Sequence, residues 1–299
     1  MGGWRESQDL TEKNLEGFPD VFADILNAFI YEGRKVISEE SLFPAPTETQ
    51  YAASGKNLRG QLEDISRYQM KDGRIVTQYL LANQSTVDAK LILRKAGYVG
   101  AVYREQYDGK IAESFPVIEL VLYWGKDRWY GARSILELTK QKRLAVPSDS
   151  FVDDIGLWVY EMRHLPPEVR GRFTSDMRHV VDYLAEGAGF CSERPVVHKE
   201  ALVRLLRALD GDAYIDDTEE ILREMNIKEE DEITMCELFD QYTRRGRQEG
   251  LREGRREGRQ EGIMSAVRSL VKTQNWTAEQ ALNALGIPKE EQKQYLSAM

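Results

Sequence analysis

Histidine and cysteine are nearly missing from this chain, with three histidines and two cysteines in 299 residues. His164, His179 and His198 stand at no spacing that a metal centre uses, and each reads as a structural or surface residue. Cys191 and Cys236 are too few and too far apart in sequence for a zinc cluster or a disulfide framework, which fits a reducing, cytoplasmic setting. Long apolar runs are absent too. The longest, around residues 117–124, contains Glu119 and is far shorter than a bilayer span, so no membrane partner is expected. Arg5, Glu6, Asp9 and Glu12 interrupt the start, where a secretory leader needs an apolar stretch. Glu6 also stands where N-myristoylation needs a hydroxyl. The glycine-rich tail lacks the Gly-Lys-Ser/Thr ending of a nucleotide phosphate loop, so ATP dependence has no support.

Acid exceeds base, for a net charge of −9. The excess is local. Residues 200–240 hold fourteen Asp/Glu and four Lys/Arg, a balance of −10, which leaves about +1 for everything else (−9 minus −10). That block reads as a solvated helical surface, with an acidic face that repels DNA or pairs with a basic partner segment as the sharper alternative.

The most telling stretch is a hairpin. Asp72-Gly73 is a tight-turn dipeptide, and Arg74-Ile75-Val76-Thr77-Gln78-Tyr79-Leu80-Leu81 beyond it is rich in β-branched and aromatic residues. The strand continues into Ala82-Asn83-Gln84, where positions 82 and 84 share a face. A carboxylate at 82 beside an amide at 84, opposite Asp64, makes a hard-cation site. Position 82 is alanine, which offers no oxygen ligand.

The run Leu81-Ala82-Asn83-Gln84-Ser85-Thr86-Val87-Asp88, then Leu93-Arg94 and Gly97-Tyr98-Val99-Gly100-Ala101-Val102-Tyr103-Arg104-Glu105-Gln106, resembles the core of the recombination-promoting nuclease and transposase-like family. The likeness extends to Phe22-Ala23-Asp24-Ile25-Leu26-Asn27, to residues 116–125 and to Phe173-Thr174-Ser175-Asp176, and covers most of residues 18–185. It implies an α/β fold of the PD-(D/E)xK restriction-endonuclease type and a Mg²⁺- or Mn²⁺-dependent DNA endonuclease. In that family's wording a glutamate stands where this chain has Ala82, and Gln84 takes the place of a lysine. The resemblance gives Asp64, Ala82 and Gln84 as the catalytic positions and Asp64, Ala82 and Asp24 as the metal positions. Asp24, and Asp20 one turn earlier, read equally as residues that cap or solvate their helix. Arg94, Tyr103, Gln106 and Arg67 are the candidate DNA contacts, against a core role for Tyr103, an ion pair for Arg94 and solvated surface for Arg67 and Lys71. A neutral amide at 84 orients water but cannot stabilise hydroxide by charge. Ala82 therefore implies a chain that cleaves poorly or not at all. Two explanations stand: an inactivating exchange in an endonuclease, which the intact neighbouring pattern favours, or a naturally degenerate homologue that binds or regulates.

The chain divides by pattern into a nuclease core over 1–150, a strand and helical extension completing it over 151–240, and a helical arm with a small cap over 241–299. Pro19 with Val21, Phe22, Ile25, Leu26 and Phe29 predicts an amphipathic helix. Residues 33–60 look irregular, strands fall near 62–69, 74–84 and 115–124, and a helix near 88–108 packs through Leu91, Ala96, Ala101 and Tyr103. Beyond about residue 166 the pattern is helical; Pro166-Pro167 opens one helix with Phe173, Met177, Val180, Val181 and Leu184 on its apolar side. Residues 246–262 repeat every four: Gly246, Gly250, Gly254, Gly258 and Gly262 follow Glu249, Glu253, Glu257 and Glu261, with arginine filling much of the rest. Seven arginines against four glutamates over 241–262 give +3, which also suits DNA contact. Each glycine costs roughly 1 kcal/mol in a free helix, so packing must compensate. A homodimer or higher homo-oligomer through this helix is expected, against a flexible charged linker.

Overall fold

The computed structural model describes residues 2–52, 58–62, 65–109, 113–141, 152–187, 190–210, 218–228 and 230–296. The chain forms two compact units, residues 1–235 and 236–299. In the first, helix α1 (Gly2–Glu16) leads into α2 (Pro19–Ile30), which has proline in its first turn, where a missing N–H costs nothing. From Val21 to Phe29 every residue of α2 is buried, polar Asp24 and Asn27 included, so the helix is a core element rather than an amphipathic surface one. Asn27 is accommodated because its amide donates to the Ile37 carbonyl at 2.8 Å and accepts from the Val36 and Ile37 amides at 3.0 and 2.9 Å.

Residues 33–52 and 58–60 hold more regular structure than their composition suggests. A short strand β1 (Leu42–Pro44) is followed by an antiparallel pair, β2 (Glu48–Ala52) and β3 (Leu58–Leu62). Strands β4 (Ile65–Lys71) and β5 (Arg74–Gln84) form the expected hairpin. Its turn residues Asp72 and Gly73 both have positive φ, 51° and 76°, the geometry that matches strand twist in a two-residue connection. Helix α3 (Leu91–Tyr107) crosses to β6 (Val117–Tyr123), and after α4 (Ile135–Gln141) strand β7 (Trp158–Glu161) completes the sheet. The order is β1-β4-β5-β6-β7. β1, β4 and β5 run antiparallel, whereas β5, β6 and β7 run parallel, with Ala82 opposite Val121 and Val121 opposite Val159. Strand β7, within the extension over 151–240, lies in the same sheet as the strands that precede residue 150.

Because β5 is central and parallel to β6, it is buried on both faces from Thr77 to Asn83. Helix α3 presents Leu91, Ile92, Lys95, Tyr98, Val102 and Gln106 inward. This face differs from the expected one: Ala96 and Ala101 are half-buried and Tyr103 is 44% exposed. Two polar residues sit in the true packing stripe because their ends are tied to backbone. The Lys95 ammonium donates to Gly156 O at 2.9 Å, and the Gln106 amide bonds the Phe115 carbonyl and N–H at 3.3 and 3.1 Å.

The rest of this unit is helical: α5 (Pro167–Arg170), α6 (Met177–Glu186), α7 (Lys199–Asp210) and α8 (Thr218–Glu224). The single helix expected after Pro166-Pro167 is two, and buried Phe173 lies between them, edge-on to Phe29 at 5.3 Å. Among the described residues neither Cys191 nor Cys236 is a free thiol. The chain brings residues 194–196 against 233–235: Val196 N donates to Ile233 O at 2.9 Å and Met235 N to Arg194 O at 3.2 Å.

In the second unit, helix α9 (Met235–Gln274) is followed by α10 (Ala278–Ala284) and α11 (Lys289–Leu296). Thr277 and Gln280 form a reciprocal capping box that starts α10. Val267, Ala281, Leu282 and Tyr295 make the small core, while Trp276 and Leu285 are 37% and 39% exposed. No helix of the described residues is long and apolar enough to cross a membrane.

Candidate functional site

Alternation along a strand sends Ala82 and Asn83 to opposite faces of the sheet, and the two faces differ in kind. Ala82 is 1% exposed and belongs to a closed apolar cluster with Leu91 and Ile92 of α3, Val121 and Tyr123 of β6, and Trp129, Leu138, Leu157 and Val159. The Tyr123 and Trp129 rings meet edge-on at 5.2 Å. Asn83 lies on the other face, beside α1. Its amide donates to the Glu16 carboxylate at 2.7 Å, and its carbonyl oxygen accepts from the Trp124 indole at 2.8 Å. The Trp124 carbonyl in turn accepts from Arg163 at 2.9 Å.

Next to this network is a small polar cavity of about 160 Å³, lined by Gln8, Asp9, Glu12, Asn83, Gln84, Ser85 and Thr86. It opens beyond the carboxyl end of β5, the end at which parallel sheets present ligand sites. Glu12 and Glu16 of α1 are 2% and 0% exposed. A buried carboxylate costs several kcal/mol unless it is paired. Gln8 donates to Glu12 at 2.8 Å, Asn83 to Glu16, and Lys13 pairs with Asp9 at 2.5 Å. The Arg163 guanidinium is held below its usual pKa by burial, offset by the nearby charges of Asp210 and Glu12 and by Tyr183.

Among the described residues, Gln84 is the one expected site residue that lines this cavity. Asp64 lies outside the described residues. Ala82 departs from a ligand position, because its Cβ points into the apolar cluster rather than toward a polar pocket. Asp24 has another task. Both its oxygens accept from Thr174 and Ser175: the two backbone amides at 2.8–3.0 Å and the two hydroxyls at 2.9 and 2.8 Å. It anchors the chain entering α6. Asp20 bonds His198 at 2.9 Å, with His198 stacked on Phe18 at 3.7 Å.

The expected DNA contacts are also largely engaged in structure. Gln106 clamps Phe115, and the Tyr103 hydroxyl accepts from Val117 N at 3.2 Å. The Arg67 guanidinium donates to Gly17 O and lies 5.5 Å from the Phe22 ring; burial lowers its pKa. Arg94 is exposed on α3.

Among the described residues no group of three or more His, Cys, Asp or Glu is arranged to hold a metal ion. Of the positions expected to hold a metal, 82 carries no oxygen and the Asp24 carboxylate is filled by four donor groups, while Asp64 lies outside the described residues. The residues that sequence reasoning missed are Asn83, Glu12, Glu16, Gln8 and Arg163. A glutamate pair at i and i+4 on α1 was visible in the sequence, but only the fold puts it beside Asn83. No protein-family model, no curated protein and no solved structure matches this chain.

Proposed function

We propose that this chain is a nuclease-like DNA-binding or regulatory protein that does not cut. On this reading it is a naturally degenerate relative of the recombination-promoting nucleases with a PD-(D/E)xK-type core, and it self-associates through its C-terminal helical arm. One observation carries the choice between the two explanations for Ala82. The alanine sits at 1% exposure in a cluster of leucine, isoleucine, valine, tyrosine and tryptophan. A glutamate there has no hydrogen-bond donor among those side chains except the tyrosine hydroxyl and the indole N–H, and that N–H already donates to Gly131 O at 2.8 Å. An active site disabled by one exchange leaves polar neighbours waiting for the lost carboxylate. Among the described residues, the neighbours are those of a packed core. DNA as partner rests on the sequence resemblance and on the net +3 of residues 241–262.

The test is fluorescence anisotropy of a labelled duplex with the full chain, with products checked on a denaturing gel. The expected result is binding at about 50 mM salt that weakens steeply by about 200 mM, with the DNA intact in Mg²⁺. No binding at the lower salt, or Mg²⁺-dependent cutting, overturns the proposal.

A further inference from the structure

The order of charges around α9 selects how two copies meet. Residues 254–262 of this helix are all exposed, and a Cβ built at Gly254, Gly258 or Gly262 meets no described atom within 4 Å. The helix therefore shows an open face along its middle. An α-helix turns about 100° per residue, so a period of four drifts by about 40° per repeat. In a frame that follows the glycine ridge, successive residues step by about a quarter turn. One flank of the ridge then carries Arg247, Leu251, Arg255 and Arg259, and the other carries Glu249, Glu253, Glu257 and Glu261. The position opposite the ridge is Gln248, Arg252, Arg256 and Gln260.

We infer that the occupant of this face is the same face of a second copy, crossing in the parallel sense about a two-fold axis that bisects the two helices. This deepens, and rests on, the self-association reading above. Ridges with i±4 spacing interlock at a crossing near −50°. A two-fold axis along the helices brings the arginine flank of each copy onto the glutamate flank of the other, on both sides of the ridge. A two-fold axis across the helices reverses one of them and sets arginine against arginine and glutamate against glutamate. The steric fit of the ridges is the same in both senses, so charge decides. Arg259 lies 3.8 Å from Glu291 of α11, and the ridge positions with open space above them are Gly254, Gly258 and Gly262. Opposed flanks also explain why a segment with so many charges need not repel itself.

The experiment measures the mass of the full chain by light scattering across a concentration series, for four proteins. These are the natural chain, Arg247→Glu/Arg255→Glu, Glu249→Arg/Glu257→Arg, and the fourfold swap combining both. The natural chain is expected to dimerise. Each two-site reversal is expected to raise the dimer Kd at least about tenfold at low salt. The fourfold swap restores dimers, because exchanged flanks still oppose, and its recovery also shows that the altered helix folds. A monomeric natural chain removes the self-association reading and this inference with it. A dimer that ignores the two-site reversals, or one that the fourfold swap fails to restore, removes the parallel arrangement while self-association stands.

Discussion

Replacing Ala82 with glutamate separates a closed core from a vacated catalytic position. Ala82 is 1% exposed and its cluster is lined by Leu91, Ile92, Val121, Leu138, Leu157 and Val159. Adding four heavy atoms to a packed site costs roughly 1–3 kcal/mol in strain. The carboxyl adds a second penalty. If it stays protonated in the folded state, the cost at pH 7 is set by the gap to the ordinary glutamate pKa of about 4.3, or about 3.7 kcal/mol. Together these reach roughly 5–7 kcal/mol, against a total stability of about 5–15 kcal/mol for a folded domain. The pH dependence identifies the cause. Burial raises the introduced carboxyl's folded pKa, so the charge penalty is absent below its unfolded value and grows as pH rises. Urea unfolding of Ala82→Glu and Ala82→Gln at pH 4 and pH 7 reads this directly. The two variants are expected to be similarly destabilised at pH 4, with the glutamate variant about 2–4 kcal/mol worse at pH 7. A glutamate variant as stable as the natural chain at pH 7 refutes the packing argument.

Three further outcomes follow from the geometry. Asn83→Ala removes a donor to buried Glu16 and the acceptor of the Trp124 indole, and is expected to cost about 2–4 kcal/mol in denaturant unfolding, against near-neutrality for exposed Gln260→Ala. Asp20 titrates below its ordinary value: burial raises it, but the His198 hydrogen bond and charge outweigh this. Its contribution is therefore complete above about pH 4 and lost as pH falls through the lowered value, visible as an acid-shifted carboxyl resonance that moves back in His198→Ala. Gly254→Ala/Gly258→Ala raises helicity by circular dichroism, since no described atom obstructs either Cβ, yet weakens self-association by filling the ridge; unchanged association refutes the ridge contact.

The hairpin was legible because its turn chemistry and strand composition are local: Asp72-Gly73 can satisfy two positive φ angles and the flanking strands follow. Helix α3 was legible as a helix but not in its facing. Apolar counting favoured Ala96, Ala101 and Tyr103, whereas the packed stripe includes Lys95 and Gln106, whose polar ends reach backbone groups at Gly156 and Phe115. Those partners are distant in sequence and no periodicity announces them. The same holds for the site. The strand that carries 82 and 84 was legible, but whether the face of Ala82 meets water or a core depends on α3, Trp129 and Leu157 closing over it. Asp24 misled because a carboxylate that gathers backbone amides from residues 174–175 looks, in sequence, like one awaiting a cation.

A paired cleavage assay tests the central claim most directly: the natural chain and Ala82→Glu on supercoiled plasmid, at low temperature, with Mg²⁺, with Mn²⁺ and with chelator. Intact plasmid in every lane, including those of the glutamate variant, is the result that a closed apolar core at position 82 predicts. Metal-dependent nicking or linearisation that appears with Ala82→Glu and disappears with chelator contradicts it.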